Sequence, residues 1–311
     1  MKVSIIGGGG RVGSNAAFAL QLGGIVKEIV VSDMNAEMAE GEALDLRHGS
    51  ALTSPQIITS GGYDAVAGSD CIVITAGLRR KPDESRLELI NRNVTLFKDI
   101  LNSLKSVKLA EGATILVVSN PVDILTQLAV KDSGLPESRV LGLGTVLDTC
   151  RFRSLLADHF KVAATDVDAL ILGEHGDSMV PIWSSATVNG THISGLPGYD
   201  QATADGIFDF TKKSGAEVIR LKGGAGWAVG VSIREVVETI ALNREKMLPV
   251  SSLQNGALGI SGVCLSLPTI VGRNGVHKVI EPAVNDVERA GLLRSQDSLK
   301  DVWGKVALVS A

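Results

Sequence analysis

Val3-Ser4-Ile5-Ile6-Gly7-Gly8-Gly9-Gly10-Arg11-Val12-Gly13 stands at the head of this chain, and its reading decides the fold. A short apolar run ends in a glycine-rich turn, and Ser14 to Leu22 continues with helical composition, so the order is strand, turn, helix. The turn parses as G-x-G-x-x-G through Gly8, Gly10 and Gly13, or as G-x-x-G-x-x-G through Gly7, Gly10 and Gly13. Either way, the missing side chains let backbone approach a pyrophosphate seated on the helix N-terminus. Glycine clusters occur in many turns, so the context has to carry the reading. The next apolar run, Glu28 to Val31, ends in Ser32-Asp33, and 33 − 13 places that acid 20 residues past the last glycine. A carboxylate there accepts the two ribose hydroxyls of NAD and repels the 2′-phosphate of NADP. Its competing role is a plain cap on the helix expected over 36–47.

Working outward, strands and helices alternate. Gln56 to Thr59, Cys71 to Thr75, Thr114 to Val118 and Arg139 to Leu143 read as strands; Ser85 to Val107 and Val122 to Ser133 read as helices. Such alternation specifies an α/β fold with a doubly wound, Rossmann-type parallel sheet, and it places the cofactor-binding domain at residues 1–143. Ligands bind such sheets beyond the carboxyl ends of the strands, which points to the segments after Thr75, Ser119 and Leu143. Residues 144–311 change character. Ile182 to Val188 and Thr191 to Ile193 are expected as short strands, followed by helices Gln201 to Leu221 and Trp227 to Asn243. Three strand-like runs (Met247 to Leu253, Gly262 to Ile270, Gly275 to Ile280) and a helix from about Glu281 complete an α+β substrate domain.

Composition removes several classes of function. With 45% hydrophobic and 21% charged residues and a net charge of -4, the 311-residue chain is globular and has no basic excess for nucleic acid. No apolar stretch approaches a membrane span, and the N-terminus carries no signal-peptide pattern, so a cytoplasmic location is expected. Cys71, Cys150 and Cys264 are widely spaced and odd in number; they read as small core residues, and no metal site is visible.

The polar signatures gather after the strand ends. Leu78-Arg79-Arg80-Lys81-Pro82-Asp83-Glu84-Ser85-Arg86 reads as an exposed loop suited to closing on an anion, with a solvated charge run as the plainer alternative. Asn120, in Ser119-Asn120-Pro121-Val122-Asp123, either presents its amide to cofactor and substrate or caps a helix. Asp148 and Arg151 share a helix face at i,i+3. Gly173-Glu174-His175-Gly176-Asp177-Ser178 carries an imidazole off a strand end, and an unperturbed pKa near ~6.5 makes His175 a candidate general acid/base.

Together these residues resemble the lactate/malate dehydrogenase family from Gly7 to the C-terminal helix, with the malate branch nearer. The glycine turn, which looks more like the malate-type turn than the shorter lactate-type one, Asp33, Thr75-Ala76-Gly77, Lys81-Pro82 with Ser85-Arg86, Ser119-Asn120-Pro121-Val122-Asp123, Leu147-Asp148-Thr149-Cys150-Arg151 and the His175 turn carry the likeness. Asp83 departs from the usual glycine, and Trp227-Ala228-Val229-Gly230 looks more like the lactate branch. The resemblance implies an NAD-dependent hydride transfer between a 2-hydroxy acid and its keto acid, in a homo-oligomer with the tetramer favoured over the dimer, with no metal. It implies His175 and Asp148 as catalytic, and Arg80, Arg86, Asn120 and Arg151 as substrate-binding. Gly7, Gly8, Gly10, Gly13, Asp33 and Asn120 would be cofactor-binding. Arg80 stands where the malate branch carries arginine and the lactate branch glutamine, and Ala225 resembles the small malate-type residue. The expectation is therefore a malate dehydrogenase of the tricarboxylic acid cycle, with lactate dehydrogenase as the alternative and an NAD-dependent glycosidase as a remoter one. Arg79 would take the Arg80 role if the loop register were shifted by one.

Overall fold

A computed structural model describes residues 1–79 and 83–309 of the chain. Its main sheet, eight-stranded among the described residues, has the spatial order Ile57–Ser60, Glu28–Ser32, Lys2–Ile6, Cys71–Ile74, Thr114–Val117, Val140–Gly142, Ser251–Asn255, Ser261–Ser266. The first six run parallel, as the alternating pattern requires. The last two join antiparallel, through Ser251 opposite Gly142. Both faces of the parallel part are covered, so the strands are mostly apolar on both faces instead of alternating with polar residues. Ile72 and Ile74 pack into one core and Cys71 and Val73 into the other. Side chains of this size contribute roughly 1.5–3 kcal/mol each on full burial.

Strand order reverses between Lys2–Ile6 and Cys71–Ile74, because the chain winds first to one side and then to the other. That switch point opens a crevice at the carboxyl ends of the two strands. Gly7 and Thr75-Ala76 sit at its mouth, where both the Thr75 and Ala76 amides donate to the Ile6 carbonyl.

Several elements differ from the expected ones. Met247 to Leu253 is two strands: Lys246–Leu248 pairs with Thr269–Gly272 in a small sheet, and Ser251–Asn255 crosses into the main one. Gly262 to Ile270 divides in the same way into Ser261–Ser266 and Thr269–Gly272. Pro249 and Pro268 stand at the two breaks; lacking an N–H, each interrupts a ladder where the chain changes sheets. Ile182 to Val188 is mostly not a strand. Trp183–Ser185 forms a 3-10 turn, with Glu288 of the distant C-terminal helix accepting from the Ser184 amide (2.9 Å) and hydroxyl (2.6 Å). That helix runs Asp286–Val309 rather than from Glu281. No helix of the described residues is long and apolar enough to cross a membrane.

Candidate active site

At the switch point the glycine turn is a cradle made of main chain. Gly7 has φ +85, and a Cβ there would lie 2.5 Å from the Ala76 nitrogen; one on Gly13 would lie 2.3 Å from the Gly7 oxygen and 2.7 Å from Gly8 Cα. A side chain at either position would push the Arg11–Gly23 helix away from the strand end. Gly10 is the N-cap of that helix and offers no side chain to its first amides, and no acidic residue lies in its first turn. The helix end is thus open to an anion, as a pyrophosphate requires. A Cβ on Gly8 would meet Val31 Cγ1 at 2.6 Å, so this position too is held to glycine by the neighbouring strand.

Asp33 follows the second strand and folds back over the turn. Its Oδ2 accepts from the Gly9 amide (3.1 Å) and its Oδ1 from the Asn35 amide (3.0 Å). The capping role goes to Asn35, whose side chain accepts from the Met38 amide. Asn120 is exposed just past the end of strand Thr114–Val117, its Oδ1 accepting from the Val122 amide at 3.3 Å. Pro121, not Asn120, is the N-cap residue of Val122–Asp132.

The second cluster gathers residues far apart in sequence. Asp148 and Arg151 lie on helix Val146–Phe160, and their ion pair (3.0 Å) is no exposed surface pair: Asp148 is 1% and Arg151 17% exposed. His175 Nδ1 sits 2.5 Å from the other Asp148 oxygen. Burial by itself would raise the Asp148 carboxyl, but the charge and hydrogen bond of His175, then those of Arg151, outweigh it and hold Asp148 below its ordinary value. An ionised carboxylate only accepts, so Nδ1 carries the hydrogen and Nε2 is the free acceptor in the neutral ring. Burial likewise pulls the His175 imidazole down, and here too the partner wins. The charge and hydrogen bond of Asp148, with Asp123 behind them, hold it above its ordinary value against the opposing Arg151.

Hydroxyl and main-chain bonds fix this geometry. The Gly173 and Ser266 main chains exchange two hydrogen bonds, each 2.9 Å. The Ser266 hydroxyl accepts from the Thr145 amide (2.9 Å) at the start of the helix bearing Asp148 and Arg151. Thr145 Oγ1 donates to Ile171 O (2.5 Å), and Thr149 Oγ1 accepts from the Ile171 amide (3.0 Å). Ser295 of the C-terminal helix accepts from the Glu174 amide at 2.7 Å. Asp123, 2% exposed, accepts from the His175 amide (2.7 Å) and from Ser251 Oγ (2.6 Å). Asp123, Ser251, Ser266 and Ser295 were not singled out by sequence reasoning. Only Asp123 had a local signal, its place in the Asn120 motif.

Arg86, the first residue of helix Arg86–Lys105, reaches the histidine turn. Its Nη1 pairs with Asp177 Oδ2 at 2.9 Å, two residues past His175, and both side chains are largely exposed. Ser85 and Glu88 form a capping box that fixes where this helix begins. The loop before it is tied at both ends. The Leu78 amide donates to Asn93 (2.8 Å), and Arg92 pairs with Glu84 (2.6 Å). Arg79 is exposed. Arg80, with Lys81 and Pro82, lies outside the described residues.

Residues 1–142 match the family model described as lactate/malate dehydrogenase, NAD binding domain, and residues 145–308 match that of the alpha/beta C-terminal domain of the same family. The chain is 44% identical over 305 residues to L-lactate dehydrogenase 1 of Clostridium acetobutylicum, covering 96% of each. It is also 44% identical over 306 residues to the L-lactate dehydrogenase of Acetivibrio thermocellus, covering 97% of this chain and 96% of that one. Among solved structures, the minor L-lactate dehydrogenase of Enterococcus mundtii in its ligands-bound form superposes with a TM-score of 0.94 at 37% identity, covering 98% of both chains.

Proposed function

The chain belongs to the lactate/malate dehydrogenase family and uses NAD, and from that premise we propose that it is an L-lactate dehydrogenase, interconverting L-lactate and pyruvate. The malate dehydrogenase expected from Arg80 and Ala225, and with it a place in the tricarboxylic acid cycle, is overturned by the relatives. Proteins 44% identical across 96% of their length carry the lactate name, as does the ligand-bound structure at TM-score 0.94. The malate assignment weighed three local features, the glycine turn, Arg80 and Ala225, whereas the relatives weigh the whole chain. The lactate-like Trp227-Ala228-Val229-Gly230 segment agrees with them.

The observation that carries the proposal is the part-buried set of His175 and Arg151 joined by the buried Asp148, which spans the other two at 2.5 and 3.0 Å. Bound NAD supplies the carbon that takes a hydride from C2 of lactate and returns it to pyruvate. His175 Nε2 takes the hydroxyl proton as C2 becomes a carbonyl, and gives it back in reduction. Asp148 holds the ring in the Nδ1-H tautomer and stabilises the imidazolium so formed. Arg151 Nη1 is held by Asp148, and the rest of its planar fork grips the substrate carboxylate. Arg86 polarises the C2 oxygen as charge develops on it, leaving Asp177 to do so. Asn120 adds a hydrogen bond at the junction of substrate and cofactor.

NADH oxidation followed with pyruvate and with oxaloacetate tests this directly. Pyruvate should give at least ten times the kcat/KM of oxaloacetate, about 1.4 kcal/mol of preference. Equal or faster turnover of oxaloacetate overturns the assignment.

A further inference from the structure

The mechanism above leaves unused the arginine in the middle of the cofactor turn. Arg11 opens helix Arg11–Gly23, between Gly10 and Gly13, but its side chain crosses to the C-terminal domain: Nη1 donates to the main-chain oxygens of Lys222 (2.7 Å) and Gly224 (3.0 Å). We propose that Arg11 is a positioning residue: it clasps the end of helix Gln201–Lys222 to the cofactor turn, and so keeps that helix against the Arg151 fork that grips the substrate carboxylate. The inference rests on that carboxylate grip.

This helix has a firm half and a bare half. Its buried residues, Ala204 and Thr211, lie in the first half, where Ile207 and Phe208 also pack on the core around Phe152 and Ile193. Over 212–222 no side chain is buried, and Ile219 and Leu221 are 60% and 67% exposed. The polar contacts of Lys212 with Asp209, Ser214 with Phe210 and Arg220 with Glu217 stay within the helix. Yet the bare half is the one that borders the site: a Cβ on Gly215 would lie 3.6 Å from Arg151 Nη1 and 3.7 Å from Nη2. A wall this close limits the freedom of the guanidinium only while the helix stays down, and burial does not hold this half down.

Arg11 supplies the hold. The last carbonyls of a helix have no partner within it and carry its partial negative charge, so a cation there satisfies an orphan acceptor and is favoured by the dipole. Gly223 (φ +77) and Gly224 (φ +146) bend the chain past the helix end, in conformations a side chain resists, so that two carbonyls converge on one nitrogen. The Lys222 ammonium, 5.0 Å from the Trp227 ring centre, is a weaker second tie at the same end. On the cofactor side the clasp stands on fixed ground. The Asn15 side chain donates to the Arg11 carbonyl (2.6 Å), and a Cβ on Gly230 would lie 2.7 Å from the Asn15 main-chain oxygen, so helices Arg11–Gly23 and Trp227–Ala241 are in close contact.

Arg11→Met tests the proposal in the full-length enzyme, since it keeps an aliphatic stem and removes the charge and the donors. At saturating NADH, KM for pyruvate should rise about fivefold, which is about 1 kcal/mol and on the scale of exposed charged contacts. The change in kcat should be under about twofold, because His175 and Asp148 are untouched. Binding of NADH, followed by its fluorescence, should also stay within about twofold. Amide hydrogen exchange should quicken over 212–222 and not over 201–211, the signature of one half of a helix coming loose. General loosening would lower Tm without singling out KM or this half. Arg11→Lys keeps a cation and donors near the two carbonyls, so it should recover part of the loss in KM. The proposal is overturned by an unmoved KM, by unchanged exchange over 212–222, or by no recovery in Arg11→Lys. A rise in the NADH Kd as large as that in KM also overturns it, by making Arg11 a contact of the pyrophosphate. Arg151→Lys separates the two readings. An unchanged KM there defeats the carboxylate grip itself, whereas a raised KM there with an unmoved KM in Arg11→Met defeats only the clasp.

Discussion

The cofactor cradle and the histidine cluster both lie beyond the carboxyl ends of the parallel strands but are built in opposite ways. The glycine turn works by what is missing: within seven residues, Gly7, Gly8 and Gly13 each leave a place that a Cβ would fill at 2.3–2.7 Å from a neighbour. The histidine cluster works by charges brought together from three segments: Asp123 from one helix, Asp148 and Arg151 from another, and His175 from a turn between strands. The first should tolerate changes of charge that keep space open and fail when an atom is added. The second should tolerate little change of charge even where shape is kept.

The largest expected effect is at the cluster. His175→Asn preserves size and hydrogen bonding and removes the proton acceptor, so kcat should fall by at least ~10²-fold, as for other acid–base residues. NADH affinity should be nearly intact, because the glycine turn does not depend on this side chain. Retained turnover would show the imidazole to be structural and erase the contrast between the two regions.

Gly13→Ala probes the other side of the comparison. Its methyl group would meet the Gly7 oxygen at 2.3 Å and Gly8 Cα at 2.7 Å, both main chain, so the turn itself must shift. Overpacking of this kind costs roughly 1–3 kcal/mol, which is on the order of 5- to 150-fold if it falls on NADH binding. A fluorescence titration should show that loss, while kcat at saturating NADH falls much less. Unchanged NADH affinity would mean the turn is not the cradle.

How far each region can be read from the sequence follows from the same difference. The glycine turn is local: strand, glycines and helix are consecutive, and Asp33 lies one strand further on, so spacing alone locates them. His175, Asp148 and Arg151 come from short motifs, but their partnership is tertiary. That Asp148 is 1% exposed, and not half of a surface pair, depends on packing that no i,i+3 spacing reveals. Ser251, Ser266 and Ser295 lie in no motif, because a hydroxyl's bonding partner is chosen by the fold. The two proline breaks were misread for the opposite reason. Runs such as Met247 to Leu253 are apolar enough to pass for one strand, and only the destinations of the two halves separate them. As read from the sequence, substrate choice rests chiefly on Arg80, which lies outside the described residues, with Ala225 and the glycine turn beside it, and the relatives correct it.

The smallest expected effect is at Asp33, where the two regions' rules meet, since here a charge sits on the glycine turn. If its carboxylate faces the ribose hydroxyls, NADH should be preferred to NADPH, because a 2′-phosphate would be set against a like charge. Asp33 is only partly buried, so the repulsion is nearer the ~1 kcal/mol of unit charges about 4 Å apart in water than the several kcal/mol of an interior pair. Asp33→Ser should therefore narrow the ratio of kcat/KM for NADH over NADPH by roughly fivefold to tenfold. Absolute rates should fall with both cofactors, since the Gly9 amide loses its acceptor at 3.1 Å and the turn loosens. The ratio is thus the quantity to measure, because loosening acts on both cofactors and repulsion on one. If the unmodified enzyme uses both equally, or if the ratio does not move in the variant, Asp33 only braces the turn.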